Sequence, residues 1–324
     1  MTPLHFEQLY GAEWDELASL LSRLHRGKRK DQEQVSGERL AVLYRRACEQ
    51  LALARARSYP AYIVDKLEQV TSEAHQAIYQ RRELGFGRLK QLAAVDFPQA
   101  VRAHAVYVWV ALAVFLVPTL VLGTVVYFKP EIVLSVIDAD TVADFESMYS
   151  QDADAIGRLR TADTDWQMFG FYIRNNIGVA FQCFASGLFA GVGSLFFLGY
   201  NGALAGAVAG YLTEHGLAAT FYSFVVTHSA FELTAIVLSG AAGLRIGHSL
   251  LAPGRRTRAQ ALVVAARESV VIIYGVALML LIAAAIEAFW SSSQWIVPPV
   301  KYGVAAVCWT GVLSYLTLQG RNAR

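Results

Sequence analysis

The sequence predicts an all-α fold: a polytopic helical membrane protein with an N-terminal cytoplasmic helical domain. Three observations predict it. Of 324 residues, 55% are hydrophobic and only 17% charged, against about 25% charged in a soluble domain. The charge is unevenly spread: residues 1–103 hold 16 of the 28 Lys/Arg and 13 of the 26 Asp/Glu, whereas residues 169–252 hold only Arg174, Glu214, Glu232 and Arg245. Several apolar runs reach the ~20 residues that a helix needs to cross a bilayer core.

The domain boundaries follow this division, with a cytoplasmic helical domain over 1–103. Within it, Phe6, Leu9, Trp14, Leu17, Leu20, Leu21 and Leu24 fall mostly at three- and four-residue steps and predict a helix over 5–25. A basic loop (HRGKRKDQEQ, 25–34) follows. Ser36 then reads as an N-cap with Glu38 in the first turn of a helix that runs to about Ser58. A third helix starts at Pro60 and carries Ile63, Leu67, Val70, Ala74 and Ile78. The opening MTPLHFEQLYGAEWDEL has neither the basic nor the apolar region of a signal peptide. Cys48, Cys183 and Cys308 lie far apart and predict no disulfide framework.

The first span covers 104–128, with Pro118 and Gly123 as candidate kinks. An acidic loop over 129–170 follows, expected outside the cell with short surface helices; residues 128–169 hold nine acidic and three basic residues (Lys129, Arg158, Arg160). A Gly-rich transmembrane core occupies 171–320. Residues 171–213 are almost continuously apolar, about 64 Å as helix at ~1.5 Å per residue, so a break is expected at Asn201-Gly202. The run 217–250 is again over-long, either tilted or interrupted near Thr227-His228. Spans over 262–288 and 300–318 complete six crossings.

The basic residues set the orientation. Arg255, Arg256, Arg258, Arg321 and Arg324 belong with the N-terminal domain in the cytoplasm, so both termini are expected inside. Tyr127, Trp290, Trp295 and Tyr302 then anchor the outer interface. An alternative topology makes 202–226 a re-entrant hairpin and puts residues 255–258 outside.

Polar residues in the core are the functional candidates. Asn175, Gly178, Gln182, Ser186, Ala190 and Gly193 share one helix face, and lipid cannot solvate amides. That face is either a packing seam or the lining of a path. Gly187 and Gly191, then Gly202, Gly206 and Gly210, then Gly243 and Gly247, form small-residue ladders for close helix crossings or a homodimer seam. His228 and Glu232 stand four apart on one helix face. An intramembrane carboxylate is costly and is usually paired or functional. It is read as a structural ion pair or hydrogen-bond node with Arg174 or Asn176, as a proton- or ion-coupling site, or as part of a metal or catalytic site. Two ligands do not close a metal site, there is no HExxH, and no third His or carboxylate is evident nearby, so no metal or other cofactor is expected. No Walker A motif and no nucleic-acid signal occurs, and the surrounding partner is the lipid bilayer.

The run RNNIGVAFQCFASGLFAGVGSLFFLGYNGALAGAVAGYL, followed by THSAFELTAIVLSGAAGLRIG, resembles the stage II sporulation protein M family. Members of that family show an Asn-Asn entry, a Gly-rich span, an Asn-Gly break and a His-Gly-x-x-Glu-Leu segment. Asn175-Asn176, Asn201-Gly202, His228 and Glu232 match; Ser229 stands where the family usually has Gly, and Thr227 where Pro is frequent. FEQLYGAEWDELASLL, LAVLYRRACEQLALARARSYP and AHQAIYQRR follow the order of the family's cytoplasmic domain. The resemblance implies a bacterial cytoplasmic (inner) membrane protein, a non-enzymatic component of a cell-envelope complex. The founding members support peptidoglycan remodelling during engulfment as a membrane subunit rather than as the hydrolase. Relatives commonly neighbour a MoxR-type AAA ATPase, von Willebrand A-type proteins and RDD membrane proteins. The expected function is therefore that of a scaffold and docking subunit, as a homodimer. The alternatives are a transporter or channel-like protein centred on His228 and Glu232 and, more distantly, an intramembrane metal-dependent hydrolase.

Overall fold

The computed structural model describes residues 1–26, 37–79, 86–150, 162–293 and 295–321. The expected basic loop from residue 27 on, the Ser36 cap, Arg158, Arg160 and Arg324 lie outside the described residues. The chain divides into two units, Met1–Arg88 and Leu89–Arg324.

The first unit is a three-helix bundle: α1 (Pro3–Arg26), α2 (Gly37–Ala56) and α3 (Ala61–Tyr79). The periodic apolar residues of each helix meet in one core containing Phe6, Trp14, Leu17, Leu43, Ile63 and Leu67. Burying Trp14 requires a partner for its indole N–H, which donates to Gln50 Oε1 at 2.6 Å. Gln50 in turn donates to Glu13, which Arg46 pairs at 2.6 Å. These contacts fix α1 antiparallel to α2, while the Arg55–Glu68 pair fixes α2 antiparallel to α3.

The second unit begins with α4 (Phe86–Gln91), whose first residues precede the division, a π-helical turn at Leu92–Asp96 and α5 (Phe97–Ala103). The long helices follow: α6 (Ala105–Phe128), α8 (Ala162–Ala185), α9 (Val192–Glu214), α10 (Ala218–Leu251), α11 (Arg258–Ala285) and α12 (Pro298–Leu318). The short α7 (Ala139–Tyr149) lies between α6 and α8, preceded by a 3₁₀ turn at Pro130–Ser135. These are the short helices expected of the acidic loop. Asp138 caps α7 by accepting from the Thr141 N–H at 2.9 Å. That bond, then a second from the Thr141 hydroxyl, holds the exposed carboxyl below its usual range.

Contacts give the helix directions. The carbonyls of Phe115, Thr119 and Gly123 on α6 meet Gly202, Gly206 and Gly210 on α9 in the same order, so these two helices are parallel. Leu198, Ser194 and Gly191 meet Gly240, Gly243 and Gly247, so α10 is antiparallel to α9. α8 runs with α10, because the Ser239 hydroxyl donates to the Ala180 carbonyl and Gly243 abuts the Cys183 carbonyl. α11 opposes α10 through His228–Ser291 at one end and Arg245–Glu268 at the other. α12 runs with α10, with the Lys301 carbonyl beside Thr227 and with Val312 and Leu316 in the core cluster of Leu238. α6, α9 and α11 thus run one way and α8, α10 and α12 the other. One end of the bundle carries α7 and its acidic residues. The other carries the basic loop 252–257 and α5, whose Arg102 donates to the Leu316 carbonyl at 2.8 Å.

Four described helices are long and apolar enough to cross a membrane: Ala105–Phe128, Val192–Glu214, Ala218–Leu251 and Arg258–Ser291. α8 and α12 run alongside them with a more polar composition. The turn between α8 and α9 differs from the expectation. Asn201-Gly202 breaks nothing, and both residues lie inside α9. The Asn201 amide donates to the Phe197 carbonyl one turn back, at 2.8 Å, and Gly202 admits α6. The reversal instead occupies 186–191, where Ala190 (φ 53°) and Gly191 (φ 85°) adopt left-handed backbone. Glycine meets no Cβ penalty there, and the turn lies flush against Gly247. Nor is there a break at Thr227-His228: α10 is continuous over 34 residues, about 51 Å at ~1.5 Å per residue. α6 likewise continues through Pro118.

The glycine contacts yield a test. A Cβ on Gly206 would lie 2.2 Å from the Thr119 carbonyl oxygen, whereas nothing lies within 4 Å of one on Gly311. Gly206→Ala is expected to cost about 1–3 kcal/mol or more, and Gly311→Ala to leave stability unchanged or slightly raised. Thermal unfolding of both variants in detergent measures the difference.

Candidate intramembrane polar site

The polar site forms where three helices meet at the acidic end of the bundle. α10 presents Thr227, His228 and Glu232. α11 passes at Ile286 into a π-helical turn, Ile286–Ser291. Such wide turns recur at functional sites, and this one carries Glu287 and Ser291. The first turn of α12 brings Lys301.

His228 Nδ1 and Ser291 Oγ are hydrogen-bonded at 3.0 Å. Its Nε2 faces Glu232 Oε2 at 3.9 Å, beyond hydrogen-bond length. Glu287 joins from the π turn: one ligand atom from each of His228, Glu232 and Glu287 lies within 4.8 Å of the others. The Lys301 ammonium donates to the Ser291 carbonyl at 2.7 Å, and the Thr227 hydroxyl donates to the Lys301 carbonyl at 3.3 Å. His228, Glu287, Ser291 and Lys301 are all buried, and Glu232 nearly so. Two carboxylates this close in a low-dielectric setting require a proton or another cation as counter-charge.

α7 closes the site from the loop side. The Tyr149 ring packs edge-on against Phe221 and Phe224, and Phe224 packs in turn against His228 at 5.4 Å between ring centroids. The Thr220 hydroxyl donates to the Tyr149 carbonyl at 2.7 Å. Burial, above all, pushes the Tyr149 hydroxyl up; the charges of Glu287 and Glu232 act the same way.

The other sequence candidates lie elsewhere. Asn175 and Gln182 are exposed on the outer face of α8, as is Arg174, so that face does not line the interior. Asn176 is buried and accepts from Asn175 at 3.1 Å. The Ser186 hydroxyl donates to the Gln182 carbonyl. The side chain that faces Glu232 is His228 rather than Arg174. Gly187, Gly191, Gly202, Gly206, Gly210, Gly243 and Gly247 all face other segments of the same chain. Near the site, His215 pairs with Glu214 at 2.7 Å and stacks on Tyr211, whose hydroxyl donates to Glu146.

The expectation that no third carboxylate stands near His228 and Glu232 is corrected by Glu287. A signal was present: Glu287 is the only charged residue between Glu268 and Lys301, the same lone-charge pattern that singles out Glu232. Glu287 lies at the end of the span expected over 262–288, far in sequence from His228 and Glu232.

The model of the family described as "Stage II sporulation protein M" matches residues 105–292, more than half of the chain. The chain belongs to the stage II sporulation protein M family. The matched segment runs from the first residue of α6 to just past Ser291 and so includes Glu287 as well as His228 and Glu232. A domain of unknown function (DUF8413) matches residues 5–80, the three-helix unit. No curated protein and no solved structure matches the chain.

Lys301 offers a test of the network in this family member. Lys301→Met removes the ammonium from the Ser291 carbonyl and is expected to cost about 1.5–3 kcal/mol, as for hydrogen bonds to charged groups. A lower thermal midpoint in detergent, compared with an exposed control such as Lys129→Met, is the expected result.

Proposed function

We propose that the chain is a non-enzymatic membrane component of a bacterial cell-envelope complex, a scaffold whose helical bundle sits in the inner membrane and whose Met1–Arg88 unit docks cytoplasmic partners. The observation that carries this reading is the use to which the bundle puts its small and polar residues. The glycine ladders are spent on close contacts within the chain. Ser186, Ser194, Asn201 and Ser239 are spent on hydrogen bonds to carbonyls. A path for solutes needs polar groups left to face water, whereas these groups serve packing.

The orientation comes from charge. Arg255, Arg256, Arg258 and Arg321 lie at one end of the bundle and belong in the cytoplasm under the positive-inside rule. Six crossings then place both termini there. The opposite end carries exposed Tyr127, Trp295 and Tyr302, residue types that anchor at the interface. The exposed Asn175 and Gln182 favour a homodimer, because a second copy against α8 would remove both amides from lipid. Family resemblance adds a MoxR-type AAA ATPase, von Willebrand A-type proteins and RDD membrane proteins as partners. The cluster of His228, Glu232 and Glu287 favours a second reading, ion-coupled transport.

Two measurements separate these readings. The reconstituted full chain is expected to give no proton or cation flux above protein-free vesicles. From native membranes it is expected to co-purify with the MoxR-type ATPase in a manner that requires residues 1–88. A flux abolished by Glu232→Gln would overturn the scaffold reading in favour of transport.

A further inference from the structure

We infer that His228, Glu232 and Glu287 form a binding site for one divalent first-row metal ion, of the zinc or manganese type. The three side chains come from two helices, and their donor atoms lie within 4.8 Å of one another. Two ligands of one ion bound at about 2.0–2.2 Å stand about 3–4 Å apart, and His228 Nε2 and Glu232 Oε2 are separated by 3.9 Å.

The imidazole is a second, independent observation. His228 is 4% exposed, and its Nδ1 is held by Ser291. A metal-ligating histidine is commonly fixed through its other ring nitrogen in this way. Nε2 is thereby aimed at the carboxylates, and it makes no hydrogen bond among the described residues. Lys301 does not take the place of an ion: its ammonium bonds the Ser291 carbonyl and pairs with neither carboxylate among the described residues.

The donor set selects the ion. One imidazole and two carboxylates suit zinc, manganese or ferrous iron better than calcium, which takes six to eight oxygens, or copper(I), which takes sulfur. The ligands tie the middle of α10 to the end of α11, beneath Tyr149 of α7. The ion's role is thus to lock the acidic end of the bundle, and it does not depend on the scaffold reading.

The test uses the full chain in detergent, stripped with a chelator and then titrated with zinc or manganese chloride in the presence of millimolar calcium. Bound metal is counted by elemental analysis. One ion per chain is expected, with at least a tenfold loss of affinity in His228→Ala and in Glu287→Gln. Glu214→Gln, which alters a carboxylate outside the site, should bind as the unaltered chain does. Cobalt(II) loading of the unaltered chain should give visible bands of a nitrogen- and oxygen-ligated ion, which keeps the test decisive if a variant fails to fold. Failure of the unaltered chain to bind stoichiometrically, or full binding by His228→Ala and Glu287→Gln, would overturn the proposal.

Discussion

Backbone approaching backbone at glycine is the constraint on which the bundle depends. In lipid, apolar side chains gain little by leaving one apolar medium for another, so helices associate through close packing and hydrogen bonds. On α9, Gly202, Gly206 and Gly210 each stand where a Cβ would lie 2.2 Å from an α6 carbonyl oxygen. On α10, Gly240, Gly243 and Gly247 do the same toward the side chains and backbone of α9 and the turn before it. α9 is therefore clamped on two sides, and the hydroxyls of Ser194 and Ser239 reach carbonyls of α8 across the gaps this closeness leaves.

That closeness makes the polar site affordable. Two carboxylates, an imidazole and an ammonium within one apolar layer are expensive unless each finds a partner. The partners are recruited by local backbone features: the uninterrupted α10 keeps His228 and Glu232 one turn apart, and the π-helical turn carries Glu287 and Ser291 four residues apart. Pro298 and Pro299 open α12 and bring Lys301 back against the Ser291 carbonyl within the same layer. The tie between Thr220 and Tyr149 then lays α7 over the site, joining the acidic loop to the membrane core.

Much of this was legible in the chain itself. The amphipathic periods of Phe6 to Leu24, of Leu40 to Leu53 and of Ile63 to Ile78 placed the three N-terminal helices, because burial of one face is a local property of spacing. Apolar length likewise marked the membrane half of the chain, and the lone charge at Glu232 marked a costly position, whereas Glu287 went unmarked. The fate of Asn201-Gly202 was not legible. In water that pair signals a turn. Here the amide satisfies itself one turn back along α9 and the glycine admits α6, a choice that depends on a helix more than 80 residues away in sequence. The exposure of Asn175 and Gln182 was hidden for the same reason: a polar helix face has a fixed direction only once its neighbours are known.

Sequence alone determined the class, the three N-terminal helices and the costly intramembrane position of Glu232, since composition and spacing act through local energies. Tertiary structure decided where the chain reverses, which glycines face which carbonyls, and that Glu287, Ser291 and Lys301 converge on His228. Those outcomes rest on contacts between segments distant in the chain, whose geometry no local pattern encodes.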